Sequence, residues 1–391
     1  GVNGSGKHCN WSIGTDTGVN LLSPGETPQS NLQFLTFFVN TIKAVYDHAD
    51  LLRATIASAA NDHRLGANEA PPAIISIFIG QQLTNVLEEL EGLSTKSKGI
   101  EKQANDMLMS VPTVPEIRFD NTDRNRTSPF AFTGNKFEFR AVGSSSNTSP
   151  AMIALNTIVA NQLKQFRTEV DSQLANGGNL EQVILKTLKG YITASKNILF
   201  EGNNYSEEWK EEAKRRGQSN IQTTPEALDS YVSKKTVKLF EEIPVFTHRE
   251  LEARHEIKLE MYAKQIQIES RIMGEIALTH IIPAAVAYQS HLLDLIIKQQ
   301  TCGLEKQAEN MKVFAGKIAT HVSEMKENVF AMIDARKKAN LMEDAREKAI
   351  AYCHEVKPFF DTIRYHADKL ELYVDDNKWP LPKYRELLFV R

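Results

Sequence analysis

Residues 136–140 read Lys-Phe-Glu-Phe-Arg, a pattern that predicts a β-strand. Apolar and charged residues alternate there, as in a β-strand with one buried and one polar face. On such a strand Lys136, Glu138 and Arg140 project from the same face, because side-chain direction repeats every second residue. A carboxylate between two cations is either a plain ion-pair ladder or a metal-binding carboxylate beside anion-binding side chains. The spacing alone leaves both interpretations open.

The sequence before this strand predicts further sheet and helix. Residues 8–13 alternate loosely and predict a second strand. Residues 73–80 are apolar and β-branched, and they fit either a buried strand or a buried helical turn. Residues 81–109 have a helical, charged pattern. A further amphipathic helix, packed on the sheet, is predicted by an N-terminal signal at Ser30 and Asn31 followed by helical spacing of Leu32, Leu35, Phe38, Ile42 and Val45.

After about Pro150 the pattern is almost entirely helical. Residues 151–174 predict one helix, and the polar residues 201–223 predict a boundary or an exposed loop. Thr224 then resembles an N-cap, with Pro225 at the first helical position. Residues 304–332 and 345–370 keep apolar side chains at three-and-four spacing. Two long helices with such stripes bury them against each other, which predicts an antiparallel bundle.

Composition excludes several classes of protein. The 391 residues allow two or more domains, and the net charge of −3 argues against a nucleic-acid partner. No uninterrupted apolar run approaches the roughly 20 residues of a transmembrane helix, so no membrane partner is expected. Cys9, Cys302 and Cys353 are odd in number and far apart, so no disulfide framework or Cys-x-x-Cys metal site is readable. This cysteine usage is typical of a cytoplasmic protein.

The opening residues, GVNGSGKH, resemble a phosphate-binding P-loop only superficially. Gly1, Gly6 and Lys7 have the required spacing, but a P-loop continues with Ser or Thr and then a helix. Here His8 follows the lysine and the chain continues as a strand, so the P-loop interpretation fails. His8 can still offer a neutral imidazole to a divalent metal, although a structural histidine is the commoner case.

Two further clusters combine charge with turn residues. Residues 62–71 read DHRLGANEAP, with Arg64 and Glu69 on either side of a glycine. Alone, this stretch is typical of a solvated surface loop. Arg126 lies in the second cluster, Asn-Arg-Thr at 125–127, which precedes the strand at 136–140.

Taken together, and in this order along the chain, these clusters resemble motifs of the glutamine synthetase family. NGSGKH is similar to its Asn-Gly-Ser-Gly-x-His loop, RLGANEAP to its catalytic flap, and NRT with KFEFR to its phosphate-contacting arginine and Glu-x-Arg strand. The wider stretches, the helical extension and the closing WPLPKYRELLF resemble the type III branch specifically. The chain is therefore identified as the C-terminal portion of a large, type III member. It begins without an initiator methionine, and we expect an upstream portion.

The resemblance implies an α+β fold with two domains. Residues 1–175 would be the C-terminal part of the catalytic domain, a curved antiparallel sheet with helices and an inserted helix at about 81–109. Residues 176–391 would be a mostly α-helical bundle extension. The family implies a homo-oligomer, a dodecamer of two hexameric rings.

The resemblance also implies the chemistry. Family members join ammonia to glutamate with ATP, giving glutamine, ADP and phosphate through a γ-glutamyl phosphate, and they require Mg²⁺ or Mn²⁺. Catalytic roles are implied for Glu69 and Arg64. The remaining implied roles are metal ligation by His8 and Glu138, substrate binding by Asn3, Gly4, Arg64 and Arg140, and nucleotide or phosphate binding by Arg126, Lys136 and Ser12.

The sequence departs from the smaller enzymes of the family at three places. Asn10 stands where they carry a second histidine, an additional arginine is absent near Ala131, and the segment at 72–124 is much longer. The resemblance also implies that the other metal site and the small β-grasp domain precede this chain, which predicts that it is inactive alone. A γ-glutamyl-amine ligase and a non-catalytic relative remain alternatives.

Overall fold

A computed structural model of the chain describes residues 7–66, 72–92, 127–143 and 146–388. The chain divides into two compact units, Gly1–His255 and Glu256–Arg391. The predicted domains, 1–175 and 176–391, are a different division and stay a prediction.

A four-stranded sheet of order β1-β4-β3-β2 lies in the first unit. Its strands are β1 (Lys7–Trp11), β2 (Ile77–Phe78), β3 (Phe130–Phe132) and β4 (Phe137–Gly143). Strand β4 pairs antiparallel with β1 and β3, whereas β2 runs parallel to β3. The predicted antiparallel sheet is therefore wrong at the β2 edge. Parallel pairing is possible there because the long connection at 79–129 joins the two strands.

The sheet and the helix that follows β1 share an aromatic core. Asn31 caps this helix, α1 (Leu32–Asp47), by accepting a hydrogen bond from the backbone of Phe34. Phe38 of α1 stacks on Phe137 of β4, with ring centroids 5.8 Å apart, and both side chains are fully buried. The alternating pattern of residues 136–140 thus places its phenylalanines in the core and leaves the charged residues on the other face.

Among the other helices of the first unit, α5 (Ser149–Ala175) agrees with the helix predicted at 151–174. Helix α4 accounts for the first part of the predicted helix at 81–109, and residues 93–109 lie outside the described residues. The bounds are α2 (Ala49–Thr55), α3 (Ala59–Arg64), α4 (Gln81–Gly92), α5 (Ser149–Ala175), α6 (Leu180–Ser195), α7 (Glu207–Arg215), α8 (Thr224–Leu228) and α9 (Lys234–Glu242), with 3₁₀ turns at Pro28–Ser30, Lys196–Ile198 and Asp229–Val232.

Two sequence predictions in this region need correction. Residues 201–223 are not an exposed loop, because they contain α7 and the fully buried Trp209, whose ring stacks on Phe200 at 3.6 Å. The mostly polar composition of residues 201–223 gives no indication that Trp209 is buried. Helix α8 begins one residue earlier than predicted, with Thr223 as its N-cap and Pro225 within its first turn.

The described residues of the second unit form helices and turns, with a non-helical segment at 374–383. The elements are α10 (His248–Ile276), which crosses the division between the units, a π-helical turn at Ala277–Ile281, α11 (Ile282–Thr301), α12 (Glu305–Asn340), α13 (Ala345–Ala351), a π-helical turn at Tyr352–Val356, α14 (Pro358–Tyr373) and α15 (Tyr384–Leu387).

Helix α12 packs against α11 and α14, so the later part of the apolar stripe predicted at 304–332 is buried between helices, whereas Leu304 at its start is exposed. Ile318, Met325 and Val329 of this stripe are fully buried. The second predicted helix, at 345–370, is interrupted by the π-helical turn before Pro358. A second π-helical turn precedes Pro283, and a proline lacks the N–H that would continue the α-helical ladder in both places.

The helical run His248–Thr301 meets the length and composition of a membrane-spanning helix. Its most apolar 18-residue window has a mean hydropathy of 1.2, and 22% of that window is buried inside the protein. The sequence shows no uninterrupted apolar run because Thr279, His280 and Gln289 break it. Length and composition are weak indicators on their own, so the absence of a membrane partner stays a prediction.

Candidate functional site

The pairing of β1 with β4 brings a histidine and a glutamate together. Asn10 lies opposite Glu138 in the ladder, and the register shifts between Lys7 and Cys9. His8 is two residues before Asn10 and therefore lies on the same face of β1. Its Nδ1 atom is 3.7 Å from Oε2 of Glu138. The His8 side chain is half-exposed and that of Glu138 is mostly buried, so the pair lies at the surface of the sheet and within reach of a ligand.

The charges around His8 favour its neutral form. Burial lowers the pKa of His8 below its ordinary value of 6.5, and the cations of Arg140 and Arg64 lower it further against the opposing effect of Glu138. A neutral imidazole keeps a lone pair for a metal ion. The environment thus favours the form of the ring that ligation requires.

Arg140 holds the Glu138 carboxylate from within the same strand. Its Nε atom donates to Oε2 of Glu138 at 3.3 Å, and both side chains are largely buried. Strand β4 therefore presents a carboxylate and a guanidinium side by side on one face, as the two-residue period predicts. The contact fits a plain ion-pair ladder, and it equally fits a metal-binding carboxylate beside an anion-binding arginine.

Helix α3 adds a second arginine to this face. Arg64 is buried, and its two terminal nitrogens lie 3.3 Å from the backbone oxygen of Arg140 and 3.3 Å from Oδ1 of Asn61. Asn61 in turn donates to the backbone oxygens of Ile56 and Ala141, at 2.8 and 2.9 Å. Burial lowers the pKa of Arg64, and a charge interaction with Tyr205 opposes this effect. Asn61 thus joins α3 to β4 and orients Arg64.

A buried ion pair anchors α3 from its other side. Arg53 of α2 and Asp62 of α3 are 3.4 Å apart, and both side chains are almost fully buried. Asp62 accepts hydrogen bonds from the backbone and the hydroxyl of Thr224, at 3.0 and 2.6 Å, and Arg53 donates to the backbone oxygens of Ile221 and Gln222. The helix that carries Arg64 is therefore fixed to the segment that leads into α8.

Ser12 and Lys136 lie at the other end of the β1–β4 ladder. Ser12 follows the pair Trp11–Phe137, and its hydroxyl oxygen is 2.9 Å from Oδ1 of Asn20 and 3.2 Å from the backbone oxygen of Asn135. Ser12 is four positions after His8 along the extended chain, which corresponds to about 13 Å. The structure thus groups His8, Glu138, Arg140 and Arg64, and it places Ser12 apart from His8.

The remaining predicted site residues, Asn3, Gly4, Glu69 and Arg126, lie outside the described residues. The roles of all ten site residues stay predictions. Sequence analysis missed Asn61, Arg53 and Asn204, whose buried hydrogen bonds fix the elements around the site. Asn61 and Asp62 follow Ser58, which caps α3, but nothing local in the sequence marks the distant groups to which their side chains are hydrogen-bonded.

The donor set near β4 fits a divalent cation of the Mg²⁺ or Mn²⁺ class. A carboxylate and a neutral imidazole on neighbouring strands can share one ion, and Mn²⁺ accepts both oxygen and nitrogen ligands. Within the described part of the chain, no group of three or more His, Cys, Asp or Glu side chains is placed to hold a metal. His8 and Glu138 would therefore supply two ligands, and water or substrate oxygens would complete the coordination.

The chain is similar to known proteins along its whole length. A family model described as the glutamine synthetase C-terminal domain matches residues 183–300. A glutamine synthetase of Bacteroides fragilis is 49% identical over 395 residues, covering all of this chain and 54% of the relative. A type-3 glutamine synthetase of Dictyostelium discoideum is 41% identical, covering 53% of the relative, and a glutamine synthetase of Butyrivibrio fibrisolvens is 39% identical, covering 55%.

These matches test the resemblance found in the sequence. The chain spans about half the length of the curated relatives it matches, and each alignment covers all of it. Identity of 39–49% along the full chain, with one relative named as type 3, confirms the predicted family. The chain belongs to the glutamine synthetase family and is similar throughout to its type III members.

Proposed function

We propose that this chain forms part of an enzyme that ligates ammonia to glutamate with ATP, through a γ-glutamyl phosphate. The observation that carries the proposal is the cluster of His8, Glu138, Arg140 and Arg64, in a chain similar throughout to glutamine synthetases. A non-catalytic relative would have no need of these four residues close together.

His8 and Glu138 would hold a Mg²⁺ or Mn²⁺ ion. Such an ion, when bound, neutralises charge on phosphate oxygens during phosphoryl transfer. Glu138 keeps its orientation through the bond from Arg140, and His8 stays neutral because burial and two nearby arginines disfavour its protonation. The protein's part in this step is to present two ligands in fixed positions on paired strands.

The two arginines would bind the amino-acid substrate. Arg140 would contact the α-carboxylate of glutamate, and Arg64 its γ-carboxylate, because a planar guanidinium matches a carboxylate in two-point contact. Asn3 and Gly4 would hold the amino end. Arg126, with Lys136 and Ser12, would contact phosphate or nucleotide, and Glu69 would accept a proton from ammonium. Excluding water matters in such a site because an acyl phosphate hydrolyses readily.

The chain would act as part of a larger assembly. The family implies a dodecamer of two hexameric rings in the cytoplasm, without membrane or nucleic-acid partners. The second metal site and the β-grasp domain would come from sequence that precedes this chain. We therefore expect the 391-residue chain alone to be inactive.

Formation of γ-glutamyl hydroxamate from glutamate, ATP and hydroxylamine tests the proposal. A full-length synthetase that carries this chain should be active, and the 391-residue chain should not. Inactivity of the full-length protein would contradict the proposed ligase activity. Turnover by the chain alone would contradict the proposal that it lacks the second metal site and the β-grasp domain. Comparing ammonia with methylamine as the acceptor distinguishes a glutamine synthetase from a γ-glutamyl-amine ligase.

A further inference from the structure

A segment from the helical half of the chain extends the edge of the sheet. This edge segment, residues 199–205, pairs with β2 through a parallel bridge between Leu199 and Ile77. The backbone N–H of Phe200 donates to the Ile77 oxygen at 3.0 Å. The Glu201 carboxylate accepts from the backbone N–H groups of Ile79 and Gly80, at 3.3 and 3.2 Å. The open edge of β2 is thus covered from a part of the chain more than a hundred residues later.

Asn204 is the most deeply placed polar residue of the edge segment. It is completely buried, and its Oδ1 accepts a hydrogen bond from the Ser76 hydroxyl at 2.6 Å. Its backbone N–H and its Nδ2 both donate to the hydroxyl of Thr127, at 2.9 and 3.2 Å. One carboxamide therefore holds Ser76 and Thr127 together, with its acceptor used on one side and its donor on the other.

The two residues held by Asn204 adjoin the candidate site. Ser76 directly precedes β2, and Thr127 directly follows Arg126 in the sequence. Two residues after Thr127, the backbone oxygen of Pro129 accepts from the N–H of Arg140 at 2.8 Å. Tyr205 interacts electrostatically with Arg64. The edge segment thus contacts the backbone that leads into β3 and lies beside an arginine of the site.

We propose that Asn204 is a positioning residue for the ligase reaction, an inference that rests on the proposed function. Asn204 fixes Thr127, and with it the backbone at Pro129 that leads into β3, relative to Glu138 and Arg140 on β4. The asparagine carboxamide offers both an acceptor and a donor, and a buried group left without its partner is costly. Because reacting groups misplaced by about 1 Å can lose about a hundredfold in rate, the bond matters to turnover.

The Thr127 side chain offers a matched pair of variants in a full-length synthetase that carries this chain. Thr127→Val keeps the shape but removes the oxygen to which Asn204 donates, whereas Thr127→Ser keeps the oxygen. We expect Thr127→Val to lower kcat/KM for ATP by about 10- to 100-fold, and more than it lowers kcat/KM for glutamate, since small displacements of positioned groups have effects of this size. Thr127→Ser should stay within about threefold of the wild type, because it retains the hydrogen bond.

Asn204→Leu should reproduce the loss, and Asn40→Leu is its control. Asn40 of α1 is equally buried and hydrogen-bonded to Gln162, but it does not contact the site. Asn40→Leu should lower Tm comparably and leave kcat/KM unchanged. If the wild type is active, two results would overturn this inference alone. Thr127→Val could keep full kcat/KM, or Thr127→Val and Thr127→Ser could lose equally. An inactive wild type would overturn the proposed function and the inference with it.

Discussion

Glu138 contacts His8 and Arg140, two side chains with different requirements. The arginine binds the carboxylate only while it is charged, and an imidazole serves as a metal ligand only while it is neutral. Burial lowers the pKa of His8 and so satisfies the second requirement while Glu138 stays paired with Arg140. Burial and the neighbouring arginines would lower this pKa in an ion-pair ladder as well, so the metal-site interpretation stays a prediction.

Glu138→Gln tests this interpretation in a full-length synthetase that carries the chain. The amide keeps the shape of the carboxylate but loses the charge that a divalent cation requires. We expect Mn²⁺ affinity, measured by electron paramagnetic resonance titration, to fall by at least about tenfold. Replacing a residue that is only hydrogen-bonded to a metal ligand already lowers metal affinity by about 10- to 100-fold. Turnover should fall in parallel. Glu309→Gln, at an exposed residue of α12, is the control and should change neither value; unchanged Mn²⁺ affinity in Glu138→Gln would remove Glu138 from the metal site.

His48, between α1 and α2, links stability to pH. Burial is the main cause that lowers its pKa from 6.5 to about 4, and Lys235 and Lys43 contribute while Asp47 and Glu242 oppose them. The unfolded chain therefore binds the proton more tightly than the folded chain between pH 6.5 and 4. The free energy of unfolding should fall as pH drops through this window, by at most about 3 kcal/mol from this group.

His48→Gln should remove this part of the pH dependence. Thermal melts of the chain at several pH values between 7 and 4 should show a shallower loss of Tm in His48→Gln than in the wild type. Exposed His248 provides the control, and His248→Gln should follow the wild-type curve. Parallel Tm curves for His48→Gln and the wild type would contradict the prediction.

At the scale of elements, the position of α3 depends on a buried ion pair rather than on its own six residues. A helix this short is unstable alone, so Asn61 and the Arg53–Asp62 pair must hold it against β4 and the segment before α8. Removing one partner of a buried pair leaves an uncompensated charge. Asp62→Asn should therefore lower the free energy of unfolding by about 3–5 kcal/mol.

A double variant separates the charge from the packing. Arg53→Met combined with Asp62→Leu removes both charges, and it should recover most of the stability that Asp62→Asn loses, because buried pairs are often replaceable by apolar side chains. Thermal unfolding of the single and double variants measures this. The double variant could instead lose as much stability as Arg53→Met and Asp62→Leu lose together when each is measured alone. That result would show that the pair acts through its hydrogen bonds to Thr224 and Ile221.

The elements that could be predicted from the sequence have a local pattern. Strands β1 and β4 and helix α1 alternate or repeat at the period of their structure, so the face that carries Glu138 and Arg140 was readable. The parallel partner of β2 and the edge segment could not be predicted, because each depends on pairing across a long stretch of chain. Asn204 lies in a polar stretch and carries no local signal of burial.

At the scale of the whole molecule, the two compact units should unfold as separate cooperative transitions. Phe38 of α1 lies fully buried in the core of the first unit, and Met325 of α12 lies fully buried in the core of the second. Met325→Ala should lower the stability of its unit by about 2–5 kcal/mol and Phe38→Ala that of the other unit by about 3–5 kcal/mol. In scanning calorimetry of the 391-residue chain, each variant should lower the midpoint of one transition only, by about 2–4 °C or more per kcal/mol.

Leu341→Ala provides the control, since Leu341 is among the most exposed apolar side chains of the second unit and should leave both midpoints unchanged. A single transition that shifts equally in Phe38→Ala and Met325→Ala would show that the chain unfolds as one cooperative body. Two transitions would also bear on the site, because every described side chain of the candidate site lies in the first unit. Met325→Ala should then leave Mn²⁺ binding at His8 and Glu138 intact at temperatures between the two midpoints.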